Sequence, residues 1–502
     1  MTLDATLVIP TIGRDSLQRL ITALDRGEGP RPAQVIVVDD RPAPRTLELR
    51  CDLMVKVLES GGRGPAAARN VGWRAADTDW VCFLDDDVLP TPTWLSALAT
   101  DLAAADAAGV AGSQGRLDVP RENTGRPTDD EQRTLRLATA QWITADMAYR
   151  RDVLVEVGGF DARFPRAYRE DSDIALRITS AGHRIAVGAR RSEHPVAPAT
   201  WRTSLRVQAG NRDNALMRRK FGPRWRARIG EGNGRLPAHT ATTAAAAGAL
   251  LALVARRSRA ASAAGSAWAA LTADFAIRRY RGGSRTAAEL GRILVSSMLI
   301  PPLAVGHRLA GEWQHRNADA EPPLAVLLDR DDTLIEDGPY LNDPRGVVPM
   351  PGARRALDRL RARGLLLAIV TNQSGVARGL ITPEQLGEVN AEVAGQLGPF
   401  DSWQVCLHGE DDGCACRKPA PGMVVAAAAA LGVPPKRCVL IGDTGGDVQA
   451  ALSAGARAIL VPTDRTRVQE ISAARSHPRA EVAPTLSAAV DMVLSPAWSR
   501  RT

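Results

Sequence analysis

In LAVLLDRDDTL, residues 324–334, an apolar run ends abruptly in two acids, Asp329 and Asp331. An uninterrupted apolar run of this length reads as a strand buried on both faces of a parallel sheet. Side chains alternate along an extended chain, so acids two residues apart point the same way where the strand ends. Ligands of open α/β sheets collect at the carboxyl ends of their strands. The pair therefore supplies a nucleophile and a proton shuttle, or two metal-binding groups, in one small volume. A solvated turn at a strand end would carry the same letters; the residues downstream separate the two readings.

LLLAIVTNQSG (365–375) is another apolar strand, ending in Thr371-Asn372. CRKPAPGM (416–423) places Lys418 before a helix, and RCVLIGDTGGDVQAA (437–451) is a strand ending in Asp443, with Asp447 four residues on. Acids, a hydroxyl and a lysine delivered at strand ends form an inventory for phosphate and Mg²⁺. GARAILV (455–461) reads as the last strand, and the Arg-rich end at 498–502 as disordered.

The order and content of these segments resemble the haloacid dehalogenase superfamily of phosphohydrolases. The resemblance implies that Asp329 attacks phosphorus to give a phospho-aspartate and that Asp331 protonates the leaving oxygen and then activates water. It implies that Thr371 and Lys418 hold the phosphoryl group, and that Asp329, Asp443 and the backbone carbonyl of Asp331 bind Mg²⁺, supported by Asp447. Relatives commonly have Gly where this chain has Asp332; Asp tolerates left-handed backbone better than most residues. DRDDTLIEDGPYLNDP, TNQSGVARG and the Cys-rich loop are most similar to D-glycero-D-manno-heptose 1,7-bisphosphate phosphatases and the related histidinol phosphatases. With Asn372, Arg378 and Arg417 are candidates for gripping substrate, Arg being the better bidentate group.

CLHGEDDGCAC (406–416) contributes Cys406, His408, Cys414 and Cys416. Four such ligands in one loop suit a closed, tetrahedral, structural Zn²⁺, and the similar phosphatases carry zinc there. A disulfide is the rival, against which a cytoplasmic setting argues. Six cysteines in 502 residues do not form a secreted disulfide framework. MTLDATLVIP begins directly with a strand and carries no signal segment, so the expected location is cytoplasmic.

The N-terminal half repeats the theme of acids at strand ends. TLVIPTIGR (6–14), VIVVDD (35–40) and WVCFLDDDVLP (80–90) are strands, and GGRGPAAARNVGWRAA (61–76) is a Gly-rich loop opening a helix. The alternation predicts an α/β parallel sheet. Asp85 and Asp87 share a side and suit Mg²⁺ or Mn²⁺ held against a diphosphate.

This half, residues 4–225, resembles the family 2 glycosyltransferases of the A-type fold. The resemblance implies an inverting transfer from a nucleotide-sugar donor. Nucleotide-sugar contacts fall on Pro10, Asp39, Asp40, Arg69, Asn70 and Asp85. TADMAYRRDVLVEVGGFDARF (144–164) looks like the acceptor side. In YREDSDIALRITSAGHRI (168–185) the Glu170-Asp171 pair matches the family's general base, assigned to Asp171 with Asp173 as fallback. These acids also suit a helix N-terminus on capping and dipole grounds. His194, after a strand at 184–189, is either a third metal ligand or a structural histidine.

Between the halves the charge shifts. Residues 201–316 carry 20 Lys+Arg and 5 Asp+Glu, a net +15, while the whole chain is +8. The segments 240–255 and 291–306 are apolar, the first short of a membrane span and the second broken by Pro301-Pro302. A helical bundle packed on the transferase and an element lying on an anionic membrane surface both fit; a span is the weakest reading. No nucleic-acid motif is present. The expected architecture is two Rossmann-like α/β domains, 1–230 and 321–495, joined by a basic helical connector, 231–320, through the linker 317–323. The partners expected are a nucleotide-sugar, an acceptor that is lipid-linked in many transferases, and a sugar phosphate. The expected location extends to the inner face of the membrane.

Overall fold

The computed structural model describes residues 2–121, 125–196, 200, 202–316, 322–336, 338 and 340–495. The linker as far as residue 321 and the Arg-rich end lie outside the described residues. The chain divides into two compact units, Met1–Arg316 and Asn317–Thr502.

The first unit is built on an eight-stranded sheet. Its strands are β1 (Thr2–Thr11), β2 (Arg31–Asp39), β3 (Val55–Glu59), β4 (Trp80–Leu84), β5 (Leu89–Pro90), β6 (Gly112–Asp118), β7 (Asp146–Arg150) and β8 (Ile185–Glu193). Their spatial order is β3-β2-β1-β4-β7-β6-β8-β5. The half from β3 to β4 is parallel. Beyond β4 the parallel expectation fails: β7 runs antiparallel to both β4 and β6, and β5 antiparallel to β8. β6 and β8 pair in parallel, so this half of the sheet is mixed, with β7 returning antiparallel between β4 and β6 after the helix Asp129–Leu135.

Alternate residues of the central strands feed opposite cores. Leu7, Ile9, Val35, Val37, Cys82 and Leu84 pack to one side, and Val8, Ile36, Val38, Val81 and Phe83 to the other. This two-sided burial is why the strands read as unbroken apolar runs. Helix Ser16–Arg26 closes one face with Leu17, Leu20, Ile21 and Leu24, a stripe at helical spacing.

The segment read as a connector contributes three helices, Leu236–Val254, Ser258–Gly282 and Ala287–Gln314, which pack on one another and, through the third, on Asn211–Phe221 within the first unit. The expected break at Pro301-Pro302 is absent, since the third helix continues through both prolines. Its buried side, with Ile293, Ile300 and Ala304, supplies packing that overrides the local cost of proline.

The second unit has six strands: β9 (Ala325–Leu328), β10 (Leu366–Asn372), β11 (Ser402–Cys406), β12 (Cys438–Gly442), β13 (Arg457–Leu460) and β14 (Ala480–Val482). All pairings are parallel, in the order β11-β10-β9-β12-β13-β14. The strand at 455–461 is therefore not the last; β14, three residues long, is too short to show periodicity. The order reverses between β10 and β12, on either side of β9. This is the switch point at which open α/β sheets bind their ligands, and β9 delivers Asp329 there.

Candidate active sites

In the second unit Asp329 follows the last residue of β9 and is buried. Lys418 reaches it from the loop after β11, with Nζ 2.7 Å from Asp329 Oδ1, 2.6 Å from Asp447 Oδ1 and 2.9 Å from the carbonyl oxygen of Val370. All three ammonium protons are thus used. Asp447 comes from helix Gly445–Ser453, whose N-cap Thr444 donates to Asp447 Oδ2 at 2.6 Å. Gly442 precedes this turn because a Cβ there would lie 2.4 Å from the Asp447 carboxyl carbon. Ligand oxygens of Asp329, Asp443 and Asp447 all lie within 4.8 Å of one another. Burial pushes the Asp443 carboxyl up to about 7, with Asp447 adding to it. Burial likewise raises Asp329, against the pull of Lys418.

Three buried carboxylates against one lysine leave the pocket short of positive charge. A divalent cation with oxygen preference fits that donor set. Asp331 is placed beside this group. It accepts from Gln373 Nε2 at 2.6 Å and pairs with Arg330 at 2.9 Å; Thr371 Oγ1 lies 3.5 Å away. Asp332 has φ 53°, in the left-handed region, and Arg465 lies 3.2 Å from its carboxylate.

Other expected contacts are spent differently. Asn372 donates to the Lys418 carbonyl and accepts from the Lys418 N–H, both at 3.1 Å. It positions the lysine, using one of the two protons of its amide nitrogen. Arg417 points at the Cys loop, 3.3 Å from both the His408 carbonyl and Glu410. Arg378 donates to Tyr340 Oη at 2.8 Å on the exposed side. Gln373 was missed in the sequence, where nothing distinguishes it from a loop glutamine.

The Cys loop closes on itself. Cys416 Sγ lies 3.3 Å from Cys406 Sγ and 3.4 Å from Cys414 Sγ, while His408 Nδ1 lies 3.2 Å from Cys416 Sγ and 3.6 Å from Cys406 Sγ. Tetrahedral Zn²⁺ with bonds of about 2.3 Å to sulfur would set its ligand atoms roughly 3.6–3.8 Å apart. The four residues fit that ion after small relaxation, and no cysteine is in a disulfide.

In the first unit, Arg69 is the centre. It is 1% exposed and lies between Asp85, 2.6 Å away, and Glu170, 3.0 Å away. Gly64, at φ 93°, caps the helix that carries it, and a Cβ at 64 would meet the Pro165 carbonyl oxygen at 2.5 Å. Burial, helped by Asp171, pushes Glu170 up to about 8. Burial also raises Asp171, which accepts from the Ser172 N–H at 2.6 Å and forms no ion pair among the described residues. Asp173 instead is tied to Arg177, at 2.7 Å, and to Lys220. Of the two acids, Asp173 is the one held in ion pairs.

The acids after β4 lie in a turn beyond the strand end at Leu84, so strand alternation does not place them. Asp85 faces Arg69. Asp86 accepts from Thr11 Oγ1 at 2.6 Å and pairs with Arg14, which also reaches Asp87 at 2.8 Å. His194, set at the end of β8, is 3.9 Å from Asp87. Asp85, Asp87 and His194 do not converge within 4.8 Å, as the three-carboxylate group does. Arg69 faces Asp85, and Arg14 bridges Asp86 and Asp87.

The remaining nucleotide-sugar candidates divide. Asp39 is held by Arg41, with Nε–Oδ1 at 2.9 Å. Asp40 accepts from the Arg63 and Gly64 N–H groups at 2.9 and 2.8 Å and shapes the Gly-rich loop. Asn70 accepts from Phe160 N–H and donates to Phe160 O, each at 2.8 Å. It is buried and braces the Gly-Gly-Phe turn. Pro10 is buried in β1, in register with Val38.

These two arrangements define a phosphate-ester hydrolase and a glycosyl-transferring enzyme on one chain. Residues 6–172 match the profile of glycosyl transferase family 2, and residues 415–489 that of the HAD-hydrolase-like proteins. The chain is 39% identical over 145 residues to D-glycero-beta-D-manno-heptose-1,7-bisphosphate 7-phosphatase of Pseudomonas putida, a match taking 28% of this chain and 83% of that protein. The enzyme of the same name from Bordetella bronchiseptica is 36% identical over 147 residues, 28% of this chain and 82% of that one. The pre-mycofactocin glycosyltransferase of Mycobacterium tuberculosis is 34% identical over 198 residues, 36% of this chain and 40% of that protein's length. The chain belongs to the HAD-like phosphatases related to heptose bisphosphate phosphatase through its second unit, and it carries a family 2 glycosyltransferase domain in its first.

Proposed function

We propose that the second unit hydrolyses the 7-phosphate of a D-glycero-D-manno-heptose 1,7-bisphosphate, the beta anomer named for the relatives. The observation that carries this is the placement of Asp329, Lys418 and Asp443 at the switch point, in a unit 39% identical to a phosphatase of that name. Asp329 attacks phosphorus while the ester P–O bond breaks, and Asp331 gives its proton to the departing sugar oxygen. Asp331 then takes a proton from water, the water oxygen attacks phosphorus, and inorganic phosphate leaves with Asp329 restored. Gln373 and Arg330 hold Asp331 for both transfers. Lys418 and Thr371 stabilise the phosphoryl oxygens as charge gathers on them. Asp329, Asp443 and Asp447, with the Asp331 carbonyl, would hold Mg²⁺, which neutralises phosphate charge when bound. Cys406, His408, Cys414 and Cys416 would hold a structural Zn²⁺ that orders the loop leading to Lys418.

The first unit, in the same proposal, transfers a sugar from a nucleotide-sugar with inversion. Asp171 takes the acceptor hydroxyl proton as the new C1–O bond forms and the bond to the nucleotide diphosphate breaks. Its raised pKa places it nearer neutrality, where a base is most effective. Arg69 holds Asp85 and Glu170 in register beside it. An activated heptose is the donor that would join the two reactions in the cytoplasm.

The test is phosphate release by the whole chain with Mg²⁺, comparing heptose bisphosphates with histidinol phosphate, and Asp329→Asn as control. Asp329-dependent release favouring a heptose bisphosphate supports the reading. Preference for histidinol phosphate, or release that persists in Asp329→Asn, overturns it. Donor turnover tests the other half, and its absence in the native chain would make that half a binding module.

A further inference from the structure

Helix Ala287–Gln314 is apolar on both sides, and its buried side holds the polar groups as well. Its buried side includes Glu289, Ser296 and Ser297. Arg279, from helix Ser258–Gly282, donates to Ser296 Oγ at 2.8 Å and Ser297 Oγ at 3.0 Å and pairs with Asp129 at 2.7 Å. The Asp129 N–H in turn donates to Glu289 at 3.0 Å. The outward side carries Leu294, Val295, Met298, Leu299 and Leu303, which are 38–53% exposed. No charged residue occurs from Ile293 to Gly306. A helix side that faces water ordinarily carries the charges, and a contiguous exposed apolar strip marks a surface that meets something else.

A second patch lies at the turn between helices Leu236–Val254 and Ser258–Gly282. Leu250, Leu251, Leu253 and Val254 are 63–77% exposed there, followed at once by the exposed Arg256, Arg257 and Arg259. Residues 236–316 hold ten arginines, no lysine and three acids, a net +7.

We propose that this helical face docks on an anionic lipid bilayer, with helix Ala287–Gln314 lying in the plane of the interface. Helices Leu236–Val254 and Ala287–Gln314 are long and apolar enough to cross a membrane, but only 11% and 33% of their most apolar windows are buried. Crossing is excluded for the second by what holds its inner side. The Arg279–Asp129–Glu289 network ties it to the folded body, and Gly311 lets it approach so closely that a Cβ there would meet Arg212 Cα at 2.6 Å. One face is therefore committed to protein and the other is free for acyl chains, the geometry of an interfacial helix. The arginines reach lipid phosphate while the neighbouring leucines enter the acyl boundary. A second copy of the chain is the poorer occupant, because two surfaces of the same positive sign would repel. The inference is independent of which reactions the two units perform.

The test is flotation of the whole chain with phosphatidylcholine vesicles, with and without phosphatidylglycerol. Binding is expected to the anionic vesicles and to weaken with salt. Leu294→Glu with Leu299→Glu abolishes it, and Arg256→Ser with Arg257→Ser and Arg259→Ser weakens it by roughly tenfold or more. Far-UV circular dichroism and the thermal melt of the whole chain stay unchanged in both variants and report that they fold. No binding by the native chain overturns the proposal, as does equal binding of the Leu294→Glu, Leu299→Glu variant or of neutral vesicles. Self-association that this variant abolishes, without lipid binding, would assign the face to a second copy instead.

Discussion

Lys418→Met removes one positive charge from the most acidic buried point of the second unit and keeps the length of the side chain. In the native chain the ammonium touches Asp329, Asp447 and the Val370 carbonyl within 2.9 Å. Breaking a buried pair by deleting one partner costs about 3 kcal/mol or more. For a unit of this size that lowers its melting temperature by roughly 6–12 °C. The sign with pH follows from both partners. The pKa of Lys418 is raised by Asp329 and Asp447 although burial opposes this, so its contribution is fully present below the ordinary lysine range and persists through neutral pH. Asp329 and Asp443 are raised by burial and take up protons as pH falls. The loss in the variant should therefore be large at about pH 8 and smaller at about pH 5. Added Mg²⁺ should restore part of it, and kcat should still fall by about 10²–10³ because phosphoryl charge loses a donor. Calorimetric melts with chelator and with Mg²⁺, together with phosphate release, check all three effects. A variant as stable as the native chain at high pH in chelator would refute the charge-balance reasoning, and so would near-native turnover.

Asp443, at about 7 in the folded chain, holds a proton there that the unfolded chain releases near 3.8. Stability of the metal-free second unit should decline as pH rises from about 4 to above 7, and the stabilisation by Mg²⁺ should grow over the same range; a flat melting profile would contradict this. Elemental analysis should find one zinc per chain, lost in Cys416→Ser together with a good part of the roughly 10–16 kcal/mol that a structural zinc supplies. Asp171→Asn should lower sugar transfer by about 10²–10⁴ with an unchanged melt. Asp173→Asn should instead cost about 3 kcal/mol of stability by breaking a buried ion pair with Arg177 and Lys220, and the two variants behaving alike would remove the distinction.

Most of the fold was legible because strands buried on both faces must be apolar throughout, and several core strands end where an acid begins. Leu324–Asp329 and Val439–Asp443 show this directly. What escaped was short or reversed. Three-residue β14 and two-residue β5 have no period to read, and the antiparallel β7 looks like any other strand until its neighbours are known. The bonds of polar residues were not legible for the same local reason. Asn70, inside helix Pro65–Arg74, and Asn372, the last residue of β10, both turn their amides to backbone groups distant in the chain. A sequence shows that an amide is present at a site and does not show which of its bonds are already taken.

The two units share one device that no local stretch reveals. Each places a buried cation between two carboxylates, Arg69 between Asp85 and Glu170 and Lys418 between Asp329 and Asp447. The partners are far apart in the chain, 101 residues for Arg69 and Glu170 and 89 for Lys418 and Asp329. Acids gathered at strand ends repel one another and resist burial. A fixed internal cation lets them collect in the folded state before any substrate phosphate or metal arrives. In the second unit the count leaves two negative charges over, which a divalent ion can match. In the first unit Arg69 and Arg14 each bridge two acids, Asp85 with Glu170 and Asp86 with Asp87, while Asp171 forms no ion pair among the described residues. The excess of buried carboxylate over cation in the second unit is the part of this arrangement that a divalent ion with oxygen preference would complete.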